Sequence, residues 1–265
     1  AVAVSGTMLN AATEIKDGKR VYAPIRHEKY FQRERELFGY NPQFQPGTVS
    51  FDNDNVPYII SNGEKDPIIQ TLDKNGKWIK LDIGKAIKKK FPAWNGYITL
   101  TPFGNRRISF DAAGDAYFLA ATGRSNLHRM LLLYSRDKCR NWKIYQLPDK
   151  FGRWFVKLEN RPPAQRLSQP PVLSIFNGKS MYILKPEKFN AGLKLGDPVL
   201  VAEQALMVPT HSGGGNFTVT IPGKTYIIFA GSDLKPGKEG TPQYISAYDH
   251  NSKRCSVPVY IGNNG

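Results

Sequence analysis

The fold of this chain is decided by the stretch Ser109-Phe110-Asp111-Ala112-Ala113-Gly114-Asp115-Ala116-Tyr117-Phe118-Leu119. It combines a short apolar run, a turn that carries Asp and Gly, and a second run with an aromatic residue near its start. Apolar runs of this length bounded by turn residues are typical of β-hairpins. Similar units occur at 50–60, 175–184 and 221–229, so a repeated β-hairpin is predicted.

Three of these units are followed by a second predicted hairpin, at 72–79, 131–145 and 244–260. Two hairpins per repeat make a four-stranded sheet, which is the blade of a β-propeller. We therefore predict an all-β fold, a β-propeller of about four to five four-stranded blades. The whole chain, 1–265, is expected to form a single domain, with 1–45 as an irregular or first-blade segment. A β-sandwich whose hairpins are similar by chance is the alternative.

Helical signal is confined to two short segments. Residues 30–38 carry mixed charges that suit a helix or an exposed turn, and residues 83–91 place four lysines around Ile83 and Ile87.

Composition limits the class of partner. The chain has 265 residues, with 37 Lys and Arg against 22 Asp and Glu, and a formal net charge of +15. No run approaches the ~18 apolar residues of a membrane helix, so no membrane span is predicted. The charge indicates an acidic partner: nucleic acid, an anionic membrane surface or an acidic polysaccharide. Apart from Lys88-Lys89-Lys90 the lysines are dispersed, without interleaved aromatic residues, which argues against nucleic acid.

The segment Tyr134-Ser135-Arg136-Asp137-Lys138-Cys139-Arg140-Asn141-Trp142 resembles the Asp-box of sialidase-like propellers. Ser135, Asp137 and Trp142 match that box, whereas Cys139 replaces its Gly and Asn141 its Thr. In such a turn the Asp accepts backbone N–H bonds and the Trp packs between sheets, so the resemblance concerns fold and not catalysis.

A second resemblance covers about residues 209–262, in the runs His211-Ser212-Gly213-Gly214-Gly215-Asn216 and Pro242-Gln243-Tyr244-Ile245-Ser246-Ala247-Tyr248-Asp249. These runs are similar to the BNR-repeat propellers that include ulvan-lyase-like polysaccharide lyases. The resemblance implies a secreted protein, extracellular or periplasmic. It also implies a propeller with more blades than a chain of 265 residues can readily form. Two alternatives are open, a smaller closed ring or a ring of about seven blades that a second chain completes.

Such lyases cleave by β-elimination next to a uronic acid, which needs a base, an acid and a group that neutralises the carboxylate. We predict His211 as base and Tyr244 or Tyr248 as acid. Substrate binding is assigned to Asn216 together with an arginine, for which the candidates are Arg124, Arg161 and Arg166. Each residue also has a structural interpretation. His211 could stabilise its loop through hydrogen bonds, the tyrosines could pack within a blade, and the arginines could form exposed ion pairs.

Two rival functions are open. One is a propeller that binds a polyanion or a protein without catalysis, and the other is a sialidase-like glycoside hydrolase. For the hydrolase, the order of residues in Ala23-Pro24-Ile25-Arg26 departs from the expected motif, and the spacing of Glu28, Glu159 and Asp233 is not distinctive. His250 is predicted to be solvated in a turn.

Cofactor signals are weak. No spacing typical of zinc or EF-hand sites is present, and none of the proposed chemistry requires a cofactor. A structural calcium ion at Asp52-Asn53-Asp54-Asn55 and an ordinary hairpin turn are the two interpretations of that run. The two cysteines, Cys139 and Cys255, are expected to be buried thiols that are not bonded to each other.

Overall fold

The structure is a computed structural model that describes residues 2–5, 8–16, 19–24, 49–62, 67–92, 98–99, 107–122, 129–149, 155–203, 205–206, 217–231 and 240–264. These residues form antiparallel β-sheets and one α-helix. An N-terminal sheet contains β1 (Val2–Ser5), β2 (Met8–Lys16) and β3 (Lys19–Pro24). Sheet 1 contains β4 (Val49–Phe51), β5 (Pro57–Asn62), β6 (Pro67–Leu72) and β7 (Trp78–Asp82).

Three further sheets follow in chain order. Sheet 2 contains β8 (Ile98–Thr99), β9 (Ser109–Phe110), β10 (Ala116–Thr122), β11 (Arg129–Ser135) and β12 (Lys143–Gln146). Sheet 3 contains β13 (Phe155–Leu158), β14 (Leu173–Phe176), β15 (Met181–Leu184) and β18 (Val199–Ala202). A small hairpin, β16 (Pro186–Phe189) and β17 (Gly192–Leu195), is inserted before β18. Sheet 4 contains β19 (Ala205–Leu206), β20 (Phe217–Ile221), β21 (Lys224–Gly231), β22 (Thr241–Asp249), β23 (Arg254–Cys255) and β24 (Val259–Asn264).

Helix α1 (Ile83–Lys90) follows sheet 1 and confirms the helix predicted at 83–91. Asp82 caps it, accepting the backbone N–H of Lys85 at 2.8 Å, which satisfies one of the free donors of the first turn. The segment 30–38 lies outside the described residues.

The three predicted second hairpins are confirmed. They are β6–β7, β11–β12, and β22 paired with both β23 and β24. Sheet 1 has the strand order β4-β5-β6-β7, which is the simple up-and-down order of two joined hairpins. The all-β class is therefore as predicted. Sheets 1 and 3 are the predicted four-stranded antiparallel sheets, whereas sheets 2 and 4 contain five and six strands.

Successive sheets pack face to face through three apolar clusters. Tyr58 and Ile60 of sheet 1 pack in one cluster with Phe118 and Leu133 of sheet 2. The neighbouring residue Tyr117 lies on the opposite face of β10 and joins the cluster shared with sheet 3. Since alternate residues of a strand point to opposite faces, sheet 2 is apolar on both sides.

The third cluster joins sheets 3 and 4, where Ile183 and Phe176 meet Ile227 and Phe229. Sheet 3 is thus also covered on both faces. A sandwich has two sheets and one interior, so the four sheets stacked in chain order do not fit the β-sandwich alternative.

One of the four predicted repeat copies is corrected by the strand order. The hairpin at 175–184 forms as β14–β15, but the order β13-β14-β15-β18 makes it the second and third strands of its sheet. In sheets 1 and 2 the corresponding copies join the first and second strands. The true equivalent in sheet 3 is the segment 159–172, between β13 and β14, which is far longer than the other two turns.

The two ends of the sheet stack differ in character. One end, which we call the turn end, holds two sets of turns. The turns between the first and second strands of each sheet are 52–56, 111–115, 159–172 and 222–223. The turns between the third and fourth strands are 73–77, 136–142 and 250–253. The connection end holds the opposite strand ends, such as Thr122 and Arg129, which pair directly. Contacts between sheets, such as Asn53 with the carbonyl of Asp111, show that the turns share one end.

Candidate functional site

Buried carboxylates organise the turn end. Asp52 is 3% exposed and accepts the backbone N–H groups of Asp54 and Val56, both at 2.9 Å, on one oxygen. Its other oxygen accepts the hydroxyl of Tyr58 at 3.2 Å. These bonds give the buried carboxylate of Asp52 the partners that a buried polar group requires.

Sheet 2 repeats this arrangement more tightly. Asp111 accepts the N–H groups of Ala113 at 2.9 Å and Asp115 at 3.1 Å, and the hydroxyl of Tyr117 at 2.7 Å. Burial, followed by the charge of Asp111, raises the pKa of Tyr117 above its ordinary value. The hydroxyl of Tyr117 therefore stays protonated and donates its hydrogen bond to Asp111.

A lysine from the small hairpin bridges Asp111 and the neighbouring Asp115. The ammonium of Lys188 lies 2.7 Å from a carboxylate oxygen of both Asp111 and Asp115, and Tyr134 donates to the same oxygen of Asp115 at 2.7 Å. Burial lowers the pKa of Lys188, but hydrogen bonds to the two carboxylates outweigh it and the pKa is raised. One ammonium group and two tyrosine hydroxyls thus occupy the two carboxylates, and such a set of bonds within the protein is typical of a structural site.

Arg166, predicted to bind substrate, bridges sheets at the turn end. Its guanidinium donates to the side-chain oxygen of Asn53 at 2.5 Å and to the carbonyl of Phe51. The same group lies 5.4 Å from the ring centroid of Phe110. Burial lowers the pKa of Arg166, although Asp52 and Asp111 oppose the shift. These contacts make Arg166 a structural link between the 159–172 segment and sheets 1 and 2.

Arg161, another predicted substrate-binding residue, is 5% exposed and forms a buried ion pair with Glu159. Its Nε and Nη2 atoms lie 2.9 Å and 2.6 Å from Oε2 of Glu159. The remaining bonds go to the carbonyls of Gln169 and Pro170 at 2.8 Å and 3.2 Å. Arg161 therefore holds the long turn of sheet 3 in shape.

Glu159 is the third member of the carboxylate series. It follows β13 as Asp52 follows β4, and its N–H bonds the carbonyl of Val172, whose own N–H returns to Glu159 Oε2 at 3.3 Å. The distance along the chain is 13 residues (159 to 172), against 4 residues between Asp52 and Val56. Sequence reasoning missed this equivalence because the expanded turn hides the spacing.

A polar chain continues from Glu159 into sheet 4. The hydroxyls of Thr220 and Thr225 lie 2.9 Å apart, and Thr225 lies 2.9 Å from Nε2 of His250. His250 is half-buried, which corrects the prediction of a solvated side chain. Burial, then the positive charge of Lys185, lowers the pKa of His250.

The two predicted acid tyrosines lie on the same face of β22, as their spacing requires, but in different surroundings. Tyr248 is 4% exposed in the apolar cluster between sheets 3 and 4, and burial raises its pKa. Tyr244 is half-buried nearer the connection end, stacked on Phe229 at 6.0 Å and edge-on to Tyr260 at 5.8 Å.

The remaining predicted site residues, His211, Asn216 and Arg124, lie outside the described residues. The described strand ends that flank them are at the connection end: Phe217 follows Asn216, and Thr122 and Arg129 flank Arg124. Arg161, Arg166 and Tyr248 lie at the turn end. The structure therefore does not bring these three together with the strand ends that flank His211, Asn216 and Arg124.

The turn that resembles an Asp-box has the expected hydrogen bonds. Asp137 accepts the N–H of Asn141 at 2.8 Å and the hydroxyl of Ser135 at 2.8 Å, while Trp142 packs against the cluster between sheets 1 and 2. Cys139, in the glycine position of the box, has a left-handed backbone with φ +66°. Its thiol is fully buried.

The described ranges contain no side-chain cluster that is arranged as a metal site. No group of three or more His, Cys, Asp or Glu side chains there is arranged to hold a metal ion. In the turn proposed for calcium, Asp52 and Asn53 are engaged as described above, and Asp54 pairs with Lys138 at 2.9 Å. Cys139 and Cys255 are both free thiols, the first buried and the second half-buried.

Within the described part of the chain, no helix has the length and apolar character needed to cross a membrane.

No protein-family model and no curated protein matches the chain. One similar solved structure is an ulvan lyase of polysaccharide lyase family PL25, bound to a GlcA(1-4)Rha3S fragment, with a TM-score of 0.45 and 11% identity. The match covers 86% of this chain and 61% of that one, so the chain spans about 61% of the lyase's length. Another is an endo-arabinase from Bacteroides thetaiotaomicron VPI-5482, with a TM-score of 0.37, 13% identity and coverages of 82% and 80%. Likenesses this remote carry no argument about activity.

Proposed function

We propose that the chain is a propeller-type polysaccharide lyase that cleaves a uronic-acid-containing acidic glycan at the connection end of sheet 4. The stacking in chain order of four antiparallel sheets, each with a path of four hydrogen-bonded strands, supports the propeller, since blades of that fold pack successively in this way. The turn end is an unsuitable site because its described buried carboxylates and arginines are already engaged in hydrogen bonds and ion pairs within the protein.

The observation that carries the proposal is the position of Tyr244. Tyr244 pairs with Phe229 on β21, and the adjacent residue of β21, Ile228, pairs with Phe217 on β20. Asn216 directly precedes Phe217 in the chain. With strands about 4.8 Å apart, the start of β20 and Tyr244 are separated by one strand, or about 10 Å. A disaccharide unit, the two sugars that flank the cleaved bond, spans a gap of that order.

The proposed chemistry uses His211, Tyr244, Asn216 and Arg124. Asn216 and the guanidinium of Arg124 bind the uronate carboxylate, which stabilises negative charge developing at C5. His211 takes the C5 proton, the C4–oxygen bond breaks with formation of a C4=C5 double bond, and Tyr244 protonates the departing oxygen. No oxidant, water or cofactor is consumed, so atoms and charge balance with the two protons exchanged at the enzyme.

Secretion to an extracellular or periplasmic compartment and an acidic glycan partner belong to the same proposal. The formal charge of +15 supports a polyanionic partner, because a basic surface raises the local concentration of an acidic polymer and its rate of capture.

The test is an ultraviolet assay for unsaturated uronide with pectate, alginate, hyaluronan and a sulfated glucuronate–rhamnose polymer. We expect one of these substrates to give the absorbance, and His211→Ala and Tyr244→Phe to abolish it while the circular dichroism spectrum is unchanged. Tyr226→Phe, on the neighbouring strand β21, is the matched control and keeps full turnover.

Other outcomes decide against the proposal. Full turnover in His211→Ala would sink the site assignment. New reducing ends without ultraviolet absorbance indicate a glycoside hydrolase. Salt-sensitive binding of the polymers without any cleavage indicates a binding propeller, the candidate that the high positive charge favours.

A further inference from the structure

Positive charge is concentrated at one edge of the sheet stack. The ranges 72–92 and 136–146 contain the last strands of sheets 1 and 2, the turns before those strands, and α1. They hold 11 of the 37 Lys and Arg residues but only 3 of the 22 Asp and Glu residues. The resulting net charge of +8 is more than half of the formal +15 of the chain. A surface of one sign attracts ligands of the opposite sign.

Helix α1 links the two edge strands of this region. In the strand order, β7 is an edge strand of sheet 1 and β12 an edge strand of sheet 2. The helix follows β7 directly, and its buried residues Ile83 and Ile87 join the same apolar cluster as Ile144 of β12. At the other end of the helix, the ammonium of Lys90 donates to the carbonyl of Ile144 and lies 6.0 Å from the ring centroid of Tyr145. The outward face of α1 is therefore held in a fixed place.

That outward face consists of lysines. Lys85, Lys88 and Lys89 are exposed on the side of α1 opposite Ile83 and Ile87. Side chains three and four positions apart are neighbours on a helix, so the three ammonium groups share one patch. The ion pairs formed between described residues involve other cations, and no described carboxylate neutralises Lys85 or Lys89.

Helix stability does not account for this face. The helix dipole favours cations in the last turn, which explains Lys88 and Lys89. Lys85 lies in the first turn, which contains no acidic residue, and the dipole disfavours a cation there. Lys85 and Lys89 are also like charges at i and i+4, which repel each other. A bound polyanion would remove both penalties.

Two cations of sheet 2 extend the patch. Arg140 lies in the 136–142 turn and Lys143 is the first residue of β12, and both are exposed. The contact between Lys90 and Ile144 places the end of α1 beside this strand. We call Lys85, Lys88, Lys89, Arg140 and Lys143 the basic rim. It belongs to sheets 1 and 2, whereas the proposed cleavage site lies on sheet 4.

The surroundings of the basic rim favour an acidic polysaccharide over nucleic acid. Sites for single-stranded nucleic acid combine positive charge with aromatic rings on which bases stack. The described aromatic residues nearby are engaged with the protein: Trp142 and Phe91 pack against the apolar cluster, and Tyr145 lies beside Lys90. Lysine is a compact point charge without the fixed fork of arginine, and it suits a polymer recognised by its carboxylate or sulfate charge.

We propose that the basic rim is a second binding surface for an acidic polysaccharide, separate from the cleavage site. It keeps the polymer attached while successive bonds are cleaved at the connection end of sheet 4. The role during cleavage rests on the proposed function, whereas binding of the polymer by the rim does not.

The experiment measures binding of the full chain to fluorescein-labelled heparin by fluorescence anisotropy over a series of salt concentrations. The triple variant Lys85→Gln/Lys88→Gln/Lys89→Gln is expected to bind about tenfold more weakly and with a shallower salt dependence, because fewer counterions are released. Its circular dichroism spectrum is expected to be unchanged, since Gln and Lys have similar helix propensities.

The matched control is Lys194→Gln/Lys224→Gln/Arg254→Gln. It removes three exposed charges from the small hairpin and sheet 4, so its net charge equals that of the rim variant, and its affinity stays near that of the unmodified chain. Equal weakening in the two variants overturns the proposal, as does unchanged affinity in the rim variant or no binding by the unmodified chain. Displacement of labelled heparin by duplex DNA at a lower charge concentration than by unlabelled heparin indicates a nucleic-acid site and also overturns it.

Turnover distinguishes this proposal from the proposed function. On a polymer that the chain cleaves, the rim variant raises KM and leaves kcat unchanged, and it cleaves a tetrasaccharide of the same polymer as fast as the unmodified chain does. Equal losses on polymer and tetrasaccharide contradict a separate binding surface. If the chain cleaves none of the polymers, the proposed function fails, and the heparin comparison alone decides whether the rim binds polysaccharide.

Discussion

Glu159 Oε1 accepts the backbone N–H of Thr220 at 2.9 Å, while Oε2 of the same carboxylate holds Arg161. A single buried side chain thus fixes the long turn of sheet 3 and ties that turn to the first long strand of sheet 4.

Glu159→Gln is expected to be strongly destabilising. The substitution leaves the buried guanidinium of Arg161 without a counter-charge, and breaking a buried ion pair from one side costs about 3–5 kcal/mol. The free energy of unfolding from urea titration measures the effect. The control is Asp54→Asn, which removes an exposed ion pair with Lys138 and costs less than about 1 kcal/mol. Equal losses in the two variants would show that the ion pair is not structural.

Tyr117→Phe and Tyr58→Phe form a graded pair. Both remove a hydroxyl that donates to a buried aspartate, but the bond is 2.7 Å long for Tyr117 and 3.2 Å for Tyr58. Hydrogen bonds to charged groups are worth about 1.5–3 kcal/mol, and we expect Tyr117→Phe to fall in that range and Tyr58→Phe below it. Thermal denaturation of both variants checks the order, and a reversed order contradicts it.

Gly192→Ala is expected to loosen the small hairpin. A Cβ atom at this position would lie 2.5 Å from the hydroxyl oxygen of Tyr145, and that hydroxyl accepts the N–H of Leu193 at 2.7 Å. Amide hydrogen exchange at Leu193 should therefore accelerate. In a Tyr145→Phe background the obstacle is gone, so the same Gly192→Ala change costs less. If the effects of Gly192→Ala and Tyr145→Phe on hydrogen exchange are additive in this double-mutant cycle, the new Cβ atom does not clash with the Tyr145 hydroxyl.

His250 predicts a pH dependence near neutrality. Burial lowers its pKa below the ordinary value of 6.5, so the unfolded chain binds the proton more readily than the folded one. Its contribution to stability is complete above pH 6.5 and is lost as pH falls through the lower folded value. His250→Gln should flatten this part of the stability profile relative to the unmodified chain. If the stability profiles of His250→Gln and the unmodified chain run parallel from pH 7.5 to 5, His250 is not the source of the pH dependence.

The sheets could be predicted from sequence because their signals are local. Asp111 and Tyr117 lie six residues apart in one hairpin, so turn chemistry and strand alternation are both visible in a short window. The equivalent residue Glu159 bonds Val172 across a long turn, where no local pattern reveals the pairing. For that reason the repeat pattern wrongly predicts the adjacent hairpin at 175–184 as the first and second strands of its sheet, where the structure has it as the second and third.

The candidate site was less accessible to sequence reasoning. Arg161 and Arg166 have the residue type that binds carboxylates, but burial and partners determine whether an arginine faces a ligand or the protein. Here Glu159 and Asn53 occupy them. Only strand register could place Tyr244 near the connection end and Tyr248 near the turn end, since the two have the same local pattern.

The conformation of Cys139 gives the protein a built-in reporter. Its side chain is sealed between sheets 1 and 2, and burial raises its thiol pKa far above the ordinary value; burial also raises the pKa of Cys255, to about 11. Since the thiolate is the reactive form, a thiol reagent at neutral pH reacts with Cys139 only after the 136–142 turn or the interface between sheets 1 and 2 has opened. The rate of its labelling therefore measures opening at this place in the fold without any engineered probe.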